Sequence, residues 1–353
     1  MKNFTLTLLL SLIVLFGNCN EKVNKEINNN IEEEINIAQE EINILFIGNS
    51  FTFRHDLNLL VEEIVHEGHP NLNLYTERSV YGGQSLFHHT EYYYTQTFIE
   101  QSTIEDAEIQ RRIKEMEKLL ELTETPAEFV HFWEDIRGQK VQEFPKSNIQ
   151  NAIKRHRDLL ANNTRRKWDY VVLQTWQDEY PDLNDGYSKY AKYLGEIARE
   201  QGAKVIFYMT APDFQNEAPV AGPLKQEDYE EQISVILELA QKFQPFAVIP
   251  VPMAINMIQE GGTDLTFRYV NDFHPNQRTA FLTSNMFYNA LFNESTVGFN
   301  FNKVAETNPK GMDPGQDPDG NPATVVFEED EKIYLQQKAY NAVIKFNQLW
   351  KGD

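Results

Sequence analysis

Apolar and polar positions divide most of the chain into short hydrophobic runs and longer amphipathic segments. The runs are INILFI (42–47), NLNLYTERSV (71–80), DYVVLQT (169–175), KVIFYMT (204–210) and FAVIPV (246–251). Short apolar or alternating stretches rich in Val, Ile and aromatics, bounded by turn formers, predict strands. Between them, DLNLLVEEIVHEG (56–68) places apolar residues at helical spacing and stops at Gly68, and further helices are predicted over 187–200, 226–243 and 279–292. Strands that alternate with helices imply a parallel sheet covered on both faces. The expected fold is therefore α/β, a three-layer α/β/α sandwich of the flavodoxin-like kind.

Two stretches exceed a minimal version of that fold. Residues 103–163 are long, charged and helical in pattern, with IQRRIKEMEKLLEL the clearest helix. They read as an insertion between the second and third strands, either a lid over a site or a surface embellishment. After residue 302 comes the Pro/Gly/Asp loop NPKGMDPGQDPDGNP, then a final helix over 331–350. Asp313, Asp317 and Asp319 suggest calcium by ligand type, but the EF-hand spacing and its closing Glu are absent, which favours a solvated turn.

The N-terminus, MKNFTLTLLLSLIVLFGNC, has a positive Lys2 and an apolar core over 8–16 that is too short for a transmembrane helix. Cys19 is the chain's only cysteine and follows that core, so residues 1–19 resemble a bacterial lipoprotein signal with Cys19 as the lipidated residue. Asn18 departs from the usual small residue before the cysteine. Residues 20–41, rich in Asn, Glu and Lys, read as a disordered tether to a domain over 42–353. This predicts an exported protein, periplasmic or on the cell surface, that touches membrane only through the anchor and folds without an internal disulfide.

With 53 acidic against 32 basic residues, the 353-residue chain carries a formal net charge of −21. Such a surface repels nucleic-acid phosphates, which excludes nucleic acid as the main partner.

In open parallel sheets, ligands bind beyond the carboxyl ends of the strands. There the sequence places Gly48, Asn49 and Ser50 after the first strand, then Tyr81 to Ser85 after the second. Gln174, Thr175 and Trp176 follow the third, and VNDFHPNQRTAFL, with Asp272 and His274, follows the last. Serine, paired glycines, a side-chain amide and an Asp/His pair are the parts for acyl transfer. A serine hydroxyl needs an imidazole to take its proton, the imidazole needs a carboxylate, and the tetrahedral intermediate needs preorganised N–H donors.

These blocks resemble those of the SGNH (GDSL-type) hydrolase superfamily. FIGNSFT is similar to its first block, YGGQSL to its second, VVLQT to its third and NDFHP to its last. The resemblance covers most of the chain from 42 to about 292 and leaves out the insertion and the tail. It implies Ser50 as nucleophile, His274 as base, and an oxyanion hole from Ser50, Gly83 and Gln174, with no cofactor. Asn49 stands where many members have Asp, and Gln174 where the third block usually has Asn. The family usually places Asp three residues before the histidine. Here that position is Asn271 and the acid is two before, so Asp272 is assigned as acid, with another acid or a Ser–His dyad as alternatives.

Trp176, Tyr180, Arg54 and His89 are candidates to line the substrate groove. His88 and His89 are adjacent, and His55, His66 and His69 lack a spacing such as HExxH, so no metal site is expected. The reading is a secreted, lipid-anchored serine esterase acting on O-acyl, chiefly O-acetyl, esters of small molecules or polysaccharides. The alternative is a non-catalytic glycan-binding surface protein on the same fold.

Overall fold

A computed structural model describes residues 41–352 apart from 163, 211–225, 264, 273 and 308–314. The signal segment, Cys19, the tether up to residue 40 and Asp313 lie outside the described residues. Glu41, placed in the tether by the sequence reading, is instead the first residue of a strand.

The sheet strands are β1 (Glu41–Gly48), β2 (Asn73–Val80), β3 (Tyr170–Gln174), β4 (Lys204–Met209) and β5 (Ala247–Pro250). They pair in the order β2-β1-β3-β4-β5, every pair parallel. This is the flavodoxin-like order, whose switch point lies beside β1. Helices α1 (Ser50–Phe53) and α2 (Leu57–Gly68) follow β1, and α3 (Leu86–Glu91) and α4 (Gln96–Ile99) follow β2. The insertion holds α5 (Asp106–Leu120), α6 (Ala127–His131), a π-helical turn over Phe132–Ile136, and α7 (Lys146–Ala161). Then come α8 (Gly186–Glu200), α9 (Gln226–Phe243), α10 (Val251–Gln259) and α11 (Gln277–Phe292). A short hairpin, β6 (Lys303–Ala305) with β7 (Thr324–Val326), and the long α12 (Glu329–Lys351) complete the chain. No described helix is long and apolar enough to cross a membrane.

Strand β4 shows how the layers arise. Neighbouring side chains on a strand point to opposite faces. Phe207 meets Tyr187 of α8 and Phe243 of α9, while Tyr208 meets Phe287 of α11 on the other side. Phe46 of β1 meets the same Phe287 at 5.3 Å between ring centres. A central strand buried on both faces is mostly apolar, which is why β3 reads YVVLQ with every residue buried and only its last side chain an amide.

The sequence reading missed α10 and the β6–β7 hairpin. Helix α10 starts at Val251, directly after β5, so one apolar run hides the change of element. Each strand of the hairpin has only three residues, too few to show a period.

Candidate active site

Ser50 is the first residue of α1, at the carboxyl end of β1. The turn before it is held by two interlocked amides. Asn49 caps the helix, its Oδ1 accepting from the Phe51 N–H at 3.0 Å and from Gln174 Nε2 at 2.8 Å. Gln174 Oε1 accepts from the Asn49 N–H at 3.0 Å and from the Thr52 hydroxyl at 2.5 Å. Each amide oxygen faces a backbone N–H, which fixes the orientation of both side chains. Asn49 Nδ2 donates to the Gln84 carbonyl at 3.0 Å and so ties the loop after β2 to this turn. Gly48 makes the interlock sterically feasible: a Cβ there would lie 2.8 Å from Gln174 Cβ.

The expectation that Gln174 donates to an oxyanion is corrected by this geometry. Its second amide hydrogen goes to the Thr175 carbonyl at 3.0 Å, so both are engaged. The side chain is buried under the serine turn and positions it. The Ser50 and Gly83 N–H groups have no acceptor among the described residues. Gly83 adopts φ +65°, a conformation that favours glycine, in the turn after β2.

His274 sits on the loop before α11, between Arg268 and Pro275, which pair in an isolated antiparallel bridge. Its Nδ1 contacts Asp272 Oδ1 in a short hydrogen bond, and Asp272 Oδ1 also accepts the His274 N–H at 3.2 Å. Burial pushes the Asp272 carboxyl up, but the hydrogen bonds from His274 and Arg54 and their charges outweigh it and hold the group well below the usual carboxylate range. The backbone N–H groups of Asn271 and Val270 donate to the two Asp319 carboxylate oxygens, at 2.8 and 2.9 Å. Asp272, not Asn271, is therefore the side chain against the imidazole. Asp317 accepts from the Asp319 and Asn321 N–H groups. The two described aspartates of the tail loop thus serve as backbone acceptors.

Ser50, Phe51, Gly83, Trp176, Gln177 and His274 line one cavity of about 370 Å³, together with Arg137 and Gln139. The last two come from the insertion, so that segment forms part of the cavity wall and is more than a surface embellishment. Arg137 donates to the Trp176 carbonyl and, at 2.6 Å, to Gln177 Oε1, and its guanidinium lies 4.3 Å from the centre of the Trp176 ring. The Phe51 ring meets His274 edge-on at 5.7 Å.

Three groove candidates are corrected. His89 is fully buried, its Nε2 against the Gly48 carbonyl at 2.8 Å and its Nδ1 against Thr95. Burial lowers its pKa to about 3, so it stays neutral. Arg54 is 3% exposed and does not line the cavity, donating to Asp272 at 2.6 Å and to both oxygens of Glu306. Tyr180 does not line the cavity either. Sequence reasoning missed the roles of Arg137, Gln139, Glu306 and Asp319, since nothing local marks a residue whose partners lie from about forty positions away, for Arg137, to 252, for Glu306. Among the described residues no group of three or more His, Cys, Asp or Glu side chains is placed to hold a metal.

No family model and no curated protein matches the chain. Among solved structures it is similar to a DUF4886 family protein from Bacteroides uniformis, at TM-score 0.46 and 15% identity over 86% of this chain and 95% of that one. A candidate SGNH hydrolase from Slackia heliotrinireducens aligns at TM-score 0.39 and 14% identity, over 71% of this chain and 100% of that one. A gut microbial diltiazem-metabolizing enzyme aligns at TM-score 0.35 and 11% identity, over 71% of this chain and 47% of that one.

Proposed function

We propose that the protein is a serine hydrolase of the SGNH kind that cleaves carboxylic esters, with O-acetyl groups on carbohydrates as the substrate class. One observation carries the reading: Ser50, Gly83 and His274 line a single cavity, and His274 holds Asp272 on the ring nitrogen Nδ1. That leaves Nε2 to take the proton from Ser50 Oγ as the oxygen attacks the ester carbonyl. Asp272 stabilises the imidazolium that forms. The Ser50 and Gly83 N–H groups receive the oxyanion. The imidazolium then protonates the leaving alkoxide, and water, deprotonated by the same nitrogen, releases the acid from Ser50.

The acetyl preference rests on the cavity and its wall. A cavity of about 370 Å³ walled by Trp176, Gln139 and Gln177 suits a short acyl group on a polar carrier. Cys19 as a lipid anchor, with export to the periplasm or cell surface, completes the proposal and rests on the sequence alone.

The test follows acetate release from p-nitrophenyl acetate and from acetylated polysaccharides, with Ser50→Ala beside the wild type. A fluorophosphonate probe should label the wild type and leave Ser50→Ala unlabelled. Equal, background rates and no labelling of the folded wild type would overturn the hydrolase reading. Faster cleavage of long acyl chains than of acetyl would overturn the substrate class alone.

A further inference from the structure

The tail beyond α11 lies outside the motif-bearing core, yet two of its carboxylates reach the loop that carries His274. Glu306, whose side chain is fully buried, accepts from Arg54 Nε at 3.2 and 3.1 Å and from Nη2 at 2.5 Å. Arg54 Nη1 donates to Asp272 Oδ2 at 2.6 Å, and Asp272 Oδ1 meets His274. Four ionisable side chains thus form one chain in space, Glu306 to Arg54 to Asp272 to His274. The backbone after Arg54 turns through two left-handed non-glycine residues, His55 (φ 59°) and Asp56 (φ 50°). Such a turn persists only where the surroundings hold it. Here the His55 ring sits between the Ala305 and Pro275 carbonyls, at 3.1 and 2.8 Å.

A lone guanidinium on Asp272 would work against catalysis. It would cancel the charge that stabilises the imidazolium. We propose that Arg54 is a positioning residue for Asp272, and that Glu306 neutralises Arg54 so that the carboxylate keeps its full charge for His274. This rests on the hydrolase reading above. Two carboxylates and one guanidinium leave one net negative charge beside the imidazole, the same as a single aspartate, while the hydrogen bonds fix its direction.

The logic makes opposite predictions for the two supports. Removing the Glu306 charge leaves Arg54 uncompensated and disfavours protonated His274. Removing the Arg54 charge leaves two carboxylates and favours it. Other charged or titratable groups near His274 are Arg268, whose guanidinium lies 5.1 Å from the Phe51 ring, and Tyr269, which packs beside Arg54 and His55. His55 lies 3.9 Å from Glu306, Asp319 binds the loop backbone, and Arg137 lines the cavity wall. None of these residues is replaced in the variants compared, and His55 and Tyr269, which Glu306 also faces, lose its charge in Glu306→Gln.

The experiment is an NMR titration of the histidine side chains of the full chain, in wild type, Glu306→Gln, Arg54→Gln, Arg54→Lys and the double variant Glu306→Gln/Arg54→Gln. Circular dichroism checks that each is folded. The His274 pKa should fall by about 0.5–1 unit in Glu306→Gln and rise by a similar amount in Arg54→Gln. It should stay near wild type in Arg54→Lys and return to it in the double variant. The acid limb of fluorophosphonate labelling at Ser50 should move with it. If Glu306→Gln fails to fold, Arg54→Gln and the double variant still give the contrast. Shifts of the same sign, or no shift, overturn the proposal. Because the titration needs no substrate, it separates this outcome from a failure of the hydrolase reading, which would show as an unlabelled wild type.

Discussion

The proposed nucleophile and the proposed base are held by different physics. Ser50 is fixed by neutral amides at a strand end: Asn49 and Gln174 bond each other and the backbone, and Gly48 leaves room for them. His274 is fixed by charge on a loop, through Asp272, Arg54 and Glu306, with Asp319 on the loop backbone. A neutral amide interlock stabilises the fold as it places the serine. A charged network mostly offsets its own desolvation and contributes direction and potential.

Variants on the two sides should therefore separate activity from stability. The largest effect is expected from Asp272→Asn. It should lower kcat by about 10³–10⁴-fold through the wrong imidazole tautomer, for a stability cost of only about 1–2 kcal/mol. Steady-state rates beside a denaturant melt would show it, and equal losses in both would collapse the distinction. Gln174→Ala comes next. It should cost about 3–4 kcal/mol, because the buried Asn49 N–H and its side chain lose their partners and a cavity remains. Its remaining folded fraction should still take the fluorophosphonate label at a reduced rate.

Asp319→Ala should loosen the base loop and lower kcat by about tenfold, with a melting temperature within a few degrees of wild type. Trp176→Ala tests the cavity wall: KM should rise several-fold while kcat changes little, since a wall binds ground and transition states alike.

The smallest effect concerns acid. Asp272 has a depressed folded pKa, so its stabilising contribution is fully present above the unfolded aspartate value of about 3.9 and is lost as pH falls below it. The melting-temperature gap between wild type and Asp272→Asn should narrow as pH falls from 5 to below 4. A gap that widens as pH falls from 5 to 3 would reverse the sign of the argument.

Much of the nucleophile side was legible because its parts are local. The apolar run 42–47 predicted β1, and GNS at its end marked the turn. VVLQT announced both β3 and the residue that packs against that turn. The role of Gln174 was misread, since an amide at a strand end looks the same whether its hydrogens face a ligand or a neighbour. The base side was legible only in its two chemical residues. Nothing near Arg54 in the sequence shows that it is buried, because its partner Glu306 stands 252 positions away. The insertion likewise showed its helices through their period. Its place in the cavity depends on Arg137 reaching the loop after β3, which no local pattern encodes.

The fit between Gly48 and Gln174 has a consequence for how the sequence can vary. The two positions lie 126 apart yet occupy one volume. A methyl at 48 demands a shorter side chain at 174, and shortening 174 strips the acceptor from Asn49 and Thr52. A paired substitution therefore relieves the overlap only by giving up those hydrogen bonds, so each of the two residues holds the other in place. A library that randomises both positions together should return glycine at 48 with glutamine at 174.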